Sequence, residues 1–171
     1  MNERAVTASD QAFLLDVFAD ARRDEFTCLG WNVEQVARFV EMQFGVQQRG
    51  YSLQFPAAEH RILLRDGEPA GQWRVDRSHA TIVLVDIALL ERFRGRGIGS
   101  ACVAQLCREA TDRGAEVRLS VRPDNRAYAL YRRFGFEETT RDSTRACLVW
   151  RPALFDARPP ARSVGAGQSS P

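Results

Sequence analysis

Between an apolar, strand-like run from Thr81 to Leu90 and a helix-like run from about Gly97 to Arg113 lies Arg94-Gly95-Arg96-Gly97-Ile98-Gly99-Ser100. Glycines spaced this closely at a strand-to-helix junction expose backbone N–H groups at the start of the helix. Those donors have no intrahelical partner, and the positive end of the helix dipole reinforces them, so the junction is an anion site. Arg94 and Arg96 add guanidinium groups of the kind that pairs with phosphate. The pattern predicts a pyrophosphate cradle carried by a strand–loop–helix unit in mid-chain. A plain glycine-rich turn is the alternative, but such a turn has no use for two arginines.

What the loop lacks narrows the ligand. A P-loop needs Gly-Lys-Ser/Thr, and the chain contains no lysine. A dinucleotide fold needs G-x-G-x-x-G early in a βαβ unit, with an acidic residue closing the next strand. Here the spacing is G-x-G-x-G, and the next strand candidate, Glu116 to Val121, runs into Arg122-Pro123.

Arg94-Gly95-Arg96-Gly97-Ile98-Gly99 resembles the R/Q-x-x-G-x-G/A motif of the GCN5-related N-acetyltransferase (GNAT) superfamily, whose loop binds the pyrophosphate of acetyl-coenzyme A. Downstream, Asn125-Arg126-Ala127-Tyr128-Ala129-Leu130-Tyr131 with Gly135-Phe136 is similar to that family's second segment, an Asn-led helix ending in Leu-Tyr and then Gly-Phe. The two motifs stand in the family's order with one strand between them. The likeness covers roughly Arg61 to Trp150; before about residue 60 it extends only to a pair of helices.

Length and composition agree with this. A chain of 171 residues is one domain by the usual prior and can bury a real core. A net charge of +2 is too small to argue for nucleic acid, and Arg92, Arg94 and Arg96 cluster around the phosphate loop. Cys28, Cys102, Cys107 and Cys147 show no C-x-x-C spacing, which points to reduced thiols in a cytoplasm rather than disulfides or zinc. His60 and His79 have no metal-ligand company, so no metal is expected. No apolar run approaches membrane length, and the N-terminal residues lead to no signal-peptide core. The expectation is a cytoplasmic protein without membrane or nucleic-acid partners, with a homodimer left open.

Along the chain, Ser9-Asp10 can cap a helix through Phe13, Leu14, Val17, Phe18 and Ala21. Asn32 can cap a second through Val36, Phe39, Val40 and Phe44. Arg61–Arg65 and Ala70–Asp76 read as strands joined by an Asp66-Gly67 hairpin turn. Thr81 to Leu89 is a continuous apolar run, as in a central strand covered on both faces. A helix, a strand, a helix and two last strands, about Phe136–Thr140 and Thr144–Trp150, follow. This order gives an α/β sheet (α+β by some schemes) with mixed strand directions, and the resemblance implies the GNAT acyl-CoA N-acyltransferase fold, a mixed sheet of about six or seven strands flanked by about four helices. Residues 1–152 form the domain and 153–171, rich in Pro, Ala, Gly and Ser, a disordered tail.

The resemblance implies more about the site. In the family the fourth and fifth strands run parallel but splay apart, and the pantetheine arm enters the opening. Here these are Thr81–Leu90 and Glu116–Val121, with Ile87 and Leu89 as the backbone contacts. Splayed strands leave peptide groups unpaired, and an amide-rich arm can satisfy them like an added strand. The Leu89 N–H is the implied oxyanion donor, and Tyr131 the implied acid toward the leaving sulfur. Tyr131 also shares a helical face with Ala127, Leu130 and Phe134, so core packing stays open for it. Asn125 is either a helix cap or a pantetheine contact, and Gly135-Phe136 a C-terminal glycine cap. Glu91 stands where the family often has proline, a turn position of little consequence.

The base is the least determined part. Asp86, an acid within an apolar strand, is the candidate; the alternatives are a structural hydrogen bond, a bulge, or a water chain. Glu25, Glu41 and Glu59 lie in or near the N-terminal helices that shape the family's acceptor wall, and an acidic trio there would favour a cationic acceptor. Phe26, Trp31, Phe39 and Phe44 are candidate pocket aromatics, with helical spacing favouring core packing for Phe39 and Phe44. The function implied is acetyl-CoA-dependent transfer to a primary amine of a small molecule or peptide. The alternative is a coenzyme A-binding sensor or interaction module that does not turn over.

Overall fold

A computed structural model describes residues 2–27 and 30–153. The expected tail from residue 154 onward and Cys28 lie outside the described residues. In chain order the elements are β1 (Asn2–Ala5), α1 (Gln11–Ala21), α2 (Arg23–Thr27), α3 (Val33–Gln54), β2 (Glu59–Arg65), β3 (Glu68–Asp76), β4 (Ile82–Leu89), α4 (Ile98–Arg113), β5 (Val117–Val121), α5 (Ala127–Arg133), β6 (Glu137–Arg141) and β7 (Ala146–Trp150). Single 3₁₀ turns at Ala8–Asp10 and Glu91–Phe93 lead into α1 and the glycine loop.

The strands form one seven-stranded sheet in the order β1-β2-β3-β4-β5-β7-β6. All neighbours are antiparallel except β4 and β5, which run parallel through the α4 crossover. This is the mixed sheet of the GNAT fold expected from the sequence, with the apolar run Ile82–Leu89 at its centre. The β2–β3 hairpin turns on Asp66 (φ 53°) and Gly67 (φ 83°), the positive pair that a two-residue type I′ turn demands. The main core gathers Trp73, Ile82, Val103, Leu106, Val117, Phe136 and Leu148, each almost wholly buried. Each large apolar side chain there stabilises the fold by about 1.5–3 kcal/mol.

The N-terminal region departs from the expectation of helices alone. β1 adds a strand to the sheet edge, pairing Asn2–Ala5 with Arg61–Leu64. Its docking explains the second departure. Asp10 precedes α1 but makes no capping bond to it. Its carboxylate instead accepts from Arg4 Nη1 at 2.8 Å, Arg4 Nη2 at 2.6 Å and the Thr7 N–H at 2.8 Å. A bidentate guanidinium outcompetes the helix N–H groups and ties β1 to the start of α1. Asn32 does cap α3: Gln35 N–H donates to its side chain at 2.9 Å and the Gln35 amide oxygen accepts from Asn32 N–H at 3.0 Å.

Candidate active site

Gly95 (φ 72°) and Gly97 (φ 82°) take the left-handed conformation, and Gly97 is the N-cap of α4. The first helical bond of α4 runs from Ala101 N–H to the Gly97 carbonyl at 2.9 Å. The N–H groups of Ile98, Gly99 and Ser100 therefore have no intrahelical acceptor, and no side chain caps them. No described heavy atom lies within 4 Å of a Cβ built on Gly95 or Gly97. The junction offers open space faced by aligned donors, which fits a pyrophosphate.

The two loop arginines divide their roles. Arg94 Nε donates to the Leu89 carbonyl at 2.8 Å and its Nη2 to Asp20 at 3.1 Å. Asp20, on α1, also accepts from the Glu91 N–H. Arg94 thus fastens the loop to α1 and to the end of β4. Arg96 is exposed and lies over the Phe93 ring, 5.8 Å from its centroid, leaving its guanidinium at the surface beside the helix start.

β4 and β5 pair only from Ile82↔Val117 to Leu84↔Leu119, although both strands continue. On its other edge β4 stays paired with β3 as far as Leu89. There the Leu90 N–H donates to the Ala70 carbonyl at 3.0 Å, so by the alternation of an antiparallel ladder Ile87 and Leu89 turn their peptide groups toward the β5 side. Those groups have no β5 partner. The Leu89 carbonyl is held by Arg94, which leaves the Leu89 N–H aimed into the gap.

Beside this gap is a cavity of about 160 Å³. α1 contributes Leu14, Phe18 and Ala21 to its wall, α3 contributes Phe44, Gln47 and Gln48, and the sheet contributes Gln72, Asp86, Ile87 and Ala88. Arg22 and Glu25, together with Arg122 and Asn125 from the β5–α5 loop, complete it. Arg122 Nη1 meets Glu25 at 2.6 Å, joining the two sides. Of the expected acids, Glu25 reaches the cavity, whereas Glu41 is exposed elsewhere and Glu59 pairs with Arg61. Of the aromatics, Phe44 lines the wall and meets Phe18 edge-on at 5.5 Å. Phe26 and Trp31 instead pack on Phe39, at 6.0 and 5.2 Å, in the part of the same apolar cluster that does not line the cavity.

A polar network that sequence reasoning did not foresee underlies the cavity. Cross-strand register brings His60, Arg74 and Asp86 side by side on β2, β3 and β4. Gln72, two residues from Arg74, shares their face, while Trp73 and Val75 enter the core from the opposite one. Gln72 Nε2 donates to Asp86 at 2.6 Å, and its Oε1 meets His60 Nε2 at 2.8 Å. Arg74 Nη2 donates to His60 Nδ1 at 2.9 Å and to Gln48 at 2.7 Å. Arginine only donates, so His60 accepts at Nδ1 and carries its proton on Nε2. Burial, then the Arg74 charge, push His60 down to about 4, keeping the ring neutral. Burial raises the carboxyl of Asp86, opposed by the Gln72 hydrogen bond, by Arg22 and Arg74, and by the Ile87 N–H. A bulge at Val85, where Val75 pairs Leu84 and Arg74 pairs Asp86, turns Asp86 onto this face.

Tyr131, on α5, is buried against Phe136, with ring centroids 5.6 Å apart. Burial, then the Asp86 charge, raise its phenol well above the ordinary value of 10.0, so it stays protonated. It belongs to the core, and its phenol also lies within the field of the Asp86 charge. Asn125 stands just before Arg126, the N-cap of α5: its side-chain oxygen accepts from Ala127 N–H at 2.8 Å while the residue borders the cavity. Gly135 (φ 86°) ends α5, where Phe136 N–H returns to the Tyr131 carbonyl at 3.1 Å.

No described helix is long and apolar enough to cross a membrane, and no group of three or more metal-ligating residues occurs among the described residues. No curated protein sequence matches the chain. Solved structures share its fold. It is similar to the PaiA N-acetyltransferase of Thermoplasma acidophilum in complex with coenzyme A (14% identity, TM-score 0.67, covering 88% of this chain and 98% of that one). It is similar to the histone acetyltransferase HPA2 and related acetyltransferase from Corynebacterium glutamicum (21% identity, TM-score 0.62, covering 89% and 96%). It is also similar to the ribosomal-protein-S18-alanine N-acetyltransferase of Escherichia coli (20% identity, TM-score 0.57, covering 86% and 90%). The sequence profile of the acetyltransferase (GNAT) family matches residues 16–136, which take in the glycine loop, the parted strands and α5, and the chain belongs to that family.

Proposed function

We propose that this protein transfers the acetyl group of acetyl-coenzyme A to a primary amine of a small molecule or peptide, by direct attack in a ternary complex. The observation that carries the proposal is the parting of β4 and β5 after Leu84 and Leu119. It leaves the β5-facing edge of Ile87 and Leu89 without a strand partner, the Leu89 N–H free among them, between the donor-rich head of α4 and the Asp86 cavity. Support also comes from family membership and from the coenzyme A bound to the Thermoplasma neighbour.

Acetyl-coenzyme A supplies a thioester. The uncharged amine adds to its carbonyl, forming a C–N bond; the C–S bond then breaks, and coenzyme A leaves as a thiol after taking up one proton. On the protein's side, the N–H groups of Ile98, Gly99 and Ser100, with Arg96, hold the pyrophosphate. The open edge of β4 aligns the pantetheine arm through Ile87 and Leu89. The Leu89 N–H faces the developing oxyanion, and the Arg94 bond to its carbonyl keeps that peptide from turning. Asp86, whose carboxyl is raised by burial, receives a proton from the incoming ammonium. Tyr131, protonated at neutral pH, donates to the sulfur, and the proton that the nitrogen loses as the amide forms restores the phenol.

The test is thiol release from acetyl-coenzyme A across a panel of amines, with the product's mass measured. Acetylated amine formed in step with thiol supports the proposal. Tight acetyl-coenzyme A binding with no transfer to any amine would assign the protein instead to coenzyme A sensing. Asp86→Asn should lower kcat about 10²-fold and remove the acidic limb of its pH profile. In the wild type that limb lies above the ordinary carboxylate value of 3.8, because the folded carboxyl is raised and activity is lost as pH falls through it.

A further inference from the structure

The charged side chains that line the cavity are one satisfied pair and two others, Asp86 and Arg22, with Arg74 buried beneath the lining beside Asp86. Glu25 and Arg122 neutralise each other across the rim at 2.6 Å. Asp86 lies on the floor, bonded to the neutral amide of Gln72. Arg22 stands on the wall at the end of α1, its guanidinium stacked 4.0 Å above the Phe18 ring. No carboxylate among the described residues comes within ion-pairing distance of Arg22, Asp86 included, though its charge reaches Asp86 across the cavity. A stacked guanidinium is held with its donor edge free, the arrangement suited to a planar anion. The space between these two opposite charges is about 160 Å³, on the order of five waters, which is small for a drug-sized ligand.

Resting on the amine-acetylation reading above, we infer that the acceptor is a compact amine that also carries a carboxylate, such as a free amino acid, with its ammonium toward Asp86 and its carboxylate on Arg22. A polycation suits this cavity poorly: Glu25 is already paired, Glu41 and Glu59 are outside it, and Arg22 repels a second ammonium. A peptide N-terminus presents a neutral amide where the cavity presents Arg22, and leaves that cation unpaired. The zwitterion matches both charges at once.

The test compares matched acceptors with the full chain: small free amino acids, their amides, and the corresponding decarboxylated amines, each followed by thiol release and product mass. The expected kcat/KM for the free amino acid exceeds that for its amide by about tenfold or more, through KM, as loss of one charge-assisted contact implies. Arg22→Gln should bring that ratio close to one, and Arg22→Lys should keep part of it by retaining the charge without the fork. Amides or decarboxylated amines acetylated as well as the free acids would overturn this inference and leave amine acetylation standing. An unchanged ratio in Arg22→Gln would overturn it as well. Binding of acetyl-coenzyme A with no transfer to any amine would remove amine acetylation, and this inference with it.

Discussion

Gly97 takes φ 82° at the head of α4, and a Cβ built there meets no described atom within 4 Å. A side chain at this position therefore fails by conformation and charge, not by collision with the protein. Gly97→Ala should lose about 1–2 kcal/mol of stability from the left-handed backbone alone. Gly97→Asp should in addition weaken acetyl-coenzyme A binding about 100-fold or more, by setting a carboxylate against the phosphates; calorimetric titration of both variants separates the two effects. Tyr131→Phe should lower kcat about 10²-fold with acetyl-coenzyme A affinity kept. Its melting temperature should hardly move, because the phenol has no hydrogen-bond partner among the described residues. The loop glycines were legible in the sequence for a physical reason, since they act through local backbone freedom; for Tyr131 the apolar helical face gave core packing, and the acid role came from the family resemblance alone. Asp86 was visible as an acid in an apolar strand. Its partners were not, since Gln72 and Arg74 meet it through strand register, and His60 is joined to it only through them. Alternate polar residues Gln72 and Arg74 within a buried strand were the one available sign of a polar face.

At the scale of elements, Gly71 sets how closely β3 and β4 approach. A Cβ there would lie 2.2 Å from the Ala88 carbonyl oxygen and 2.9 Å from Leu89 Cα. Both neighbours are backbone, so the strands themselves must shift. Gly71→Ala should cost about 1–3 kcal/mol of stability by overpacking. It should also lower kcat/KM, because the displaced peptide is the one aimed at the oxyanion; urea unfolding and steady-state kinetics on the same variant read both. The β2–β3 hairpin was readable because Asp66-Gly67 dictates its own turn. The edge strand β1 was not: its four residues Asn2–Ala5 show no apolar alternation, and pairing with β2, the Arg4–Asp10 bridge and the Arg61–Glu3 ion pair hold it. The parting of β4 from β5 follows from the family resemblance but not from the residues, because it depends on where a parallel ladder stops.

For the whole molecule, the neutral His60 links the site to stability. Its folded value of about 4 lies below the ordinary 6.5, so the unfolded chain takes the proton first. Its contribution is full above about pH 6.5 and is lost as pH falls toward about 4. Urea denaturation at pH 7 and pH 4.5 should show this loss in the wild type and a smaller one in His60→Gln, which cannot gain the charge. The chain also carries no lysine, so no side-chain amine of its own competes as acceptor in an acetylation assay. The central claim is that the loop before α4 and the open edge of β4 form one acetyl-coenzyme A site, and calorimetric titration with acetyl-coenzyme A, against dephospho-coenzyme A and ATP, tests it most directly. Saturable binding selective for acetyl-coenzyme A, lost in Gly97→Asp, is the predicted result; no binding at millimolar acetyl-coenzyme A, or unchanged affinity in a folded Gly97→Asp protein, would contradict it.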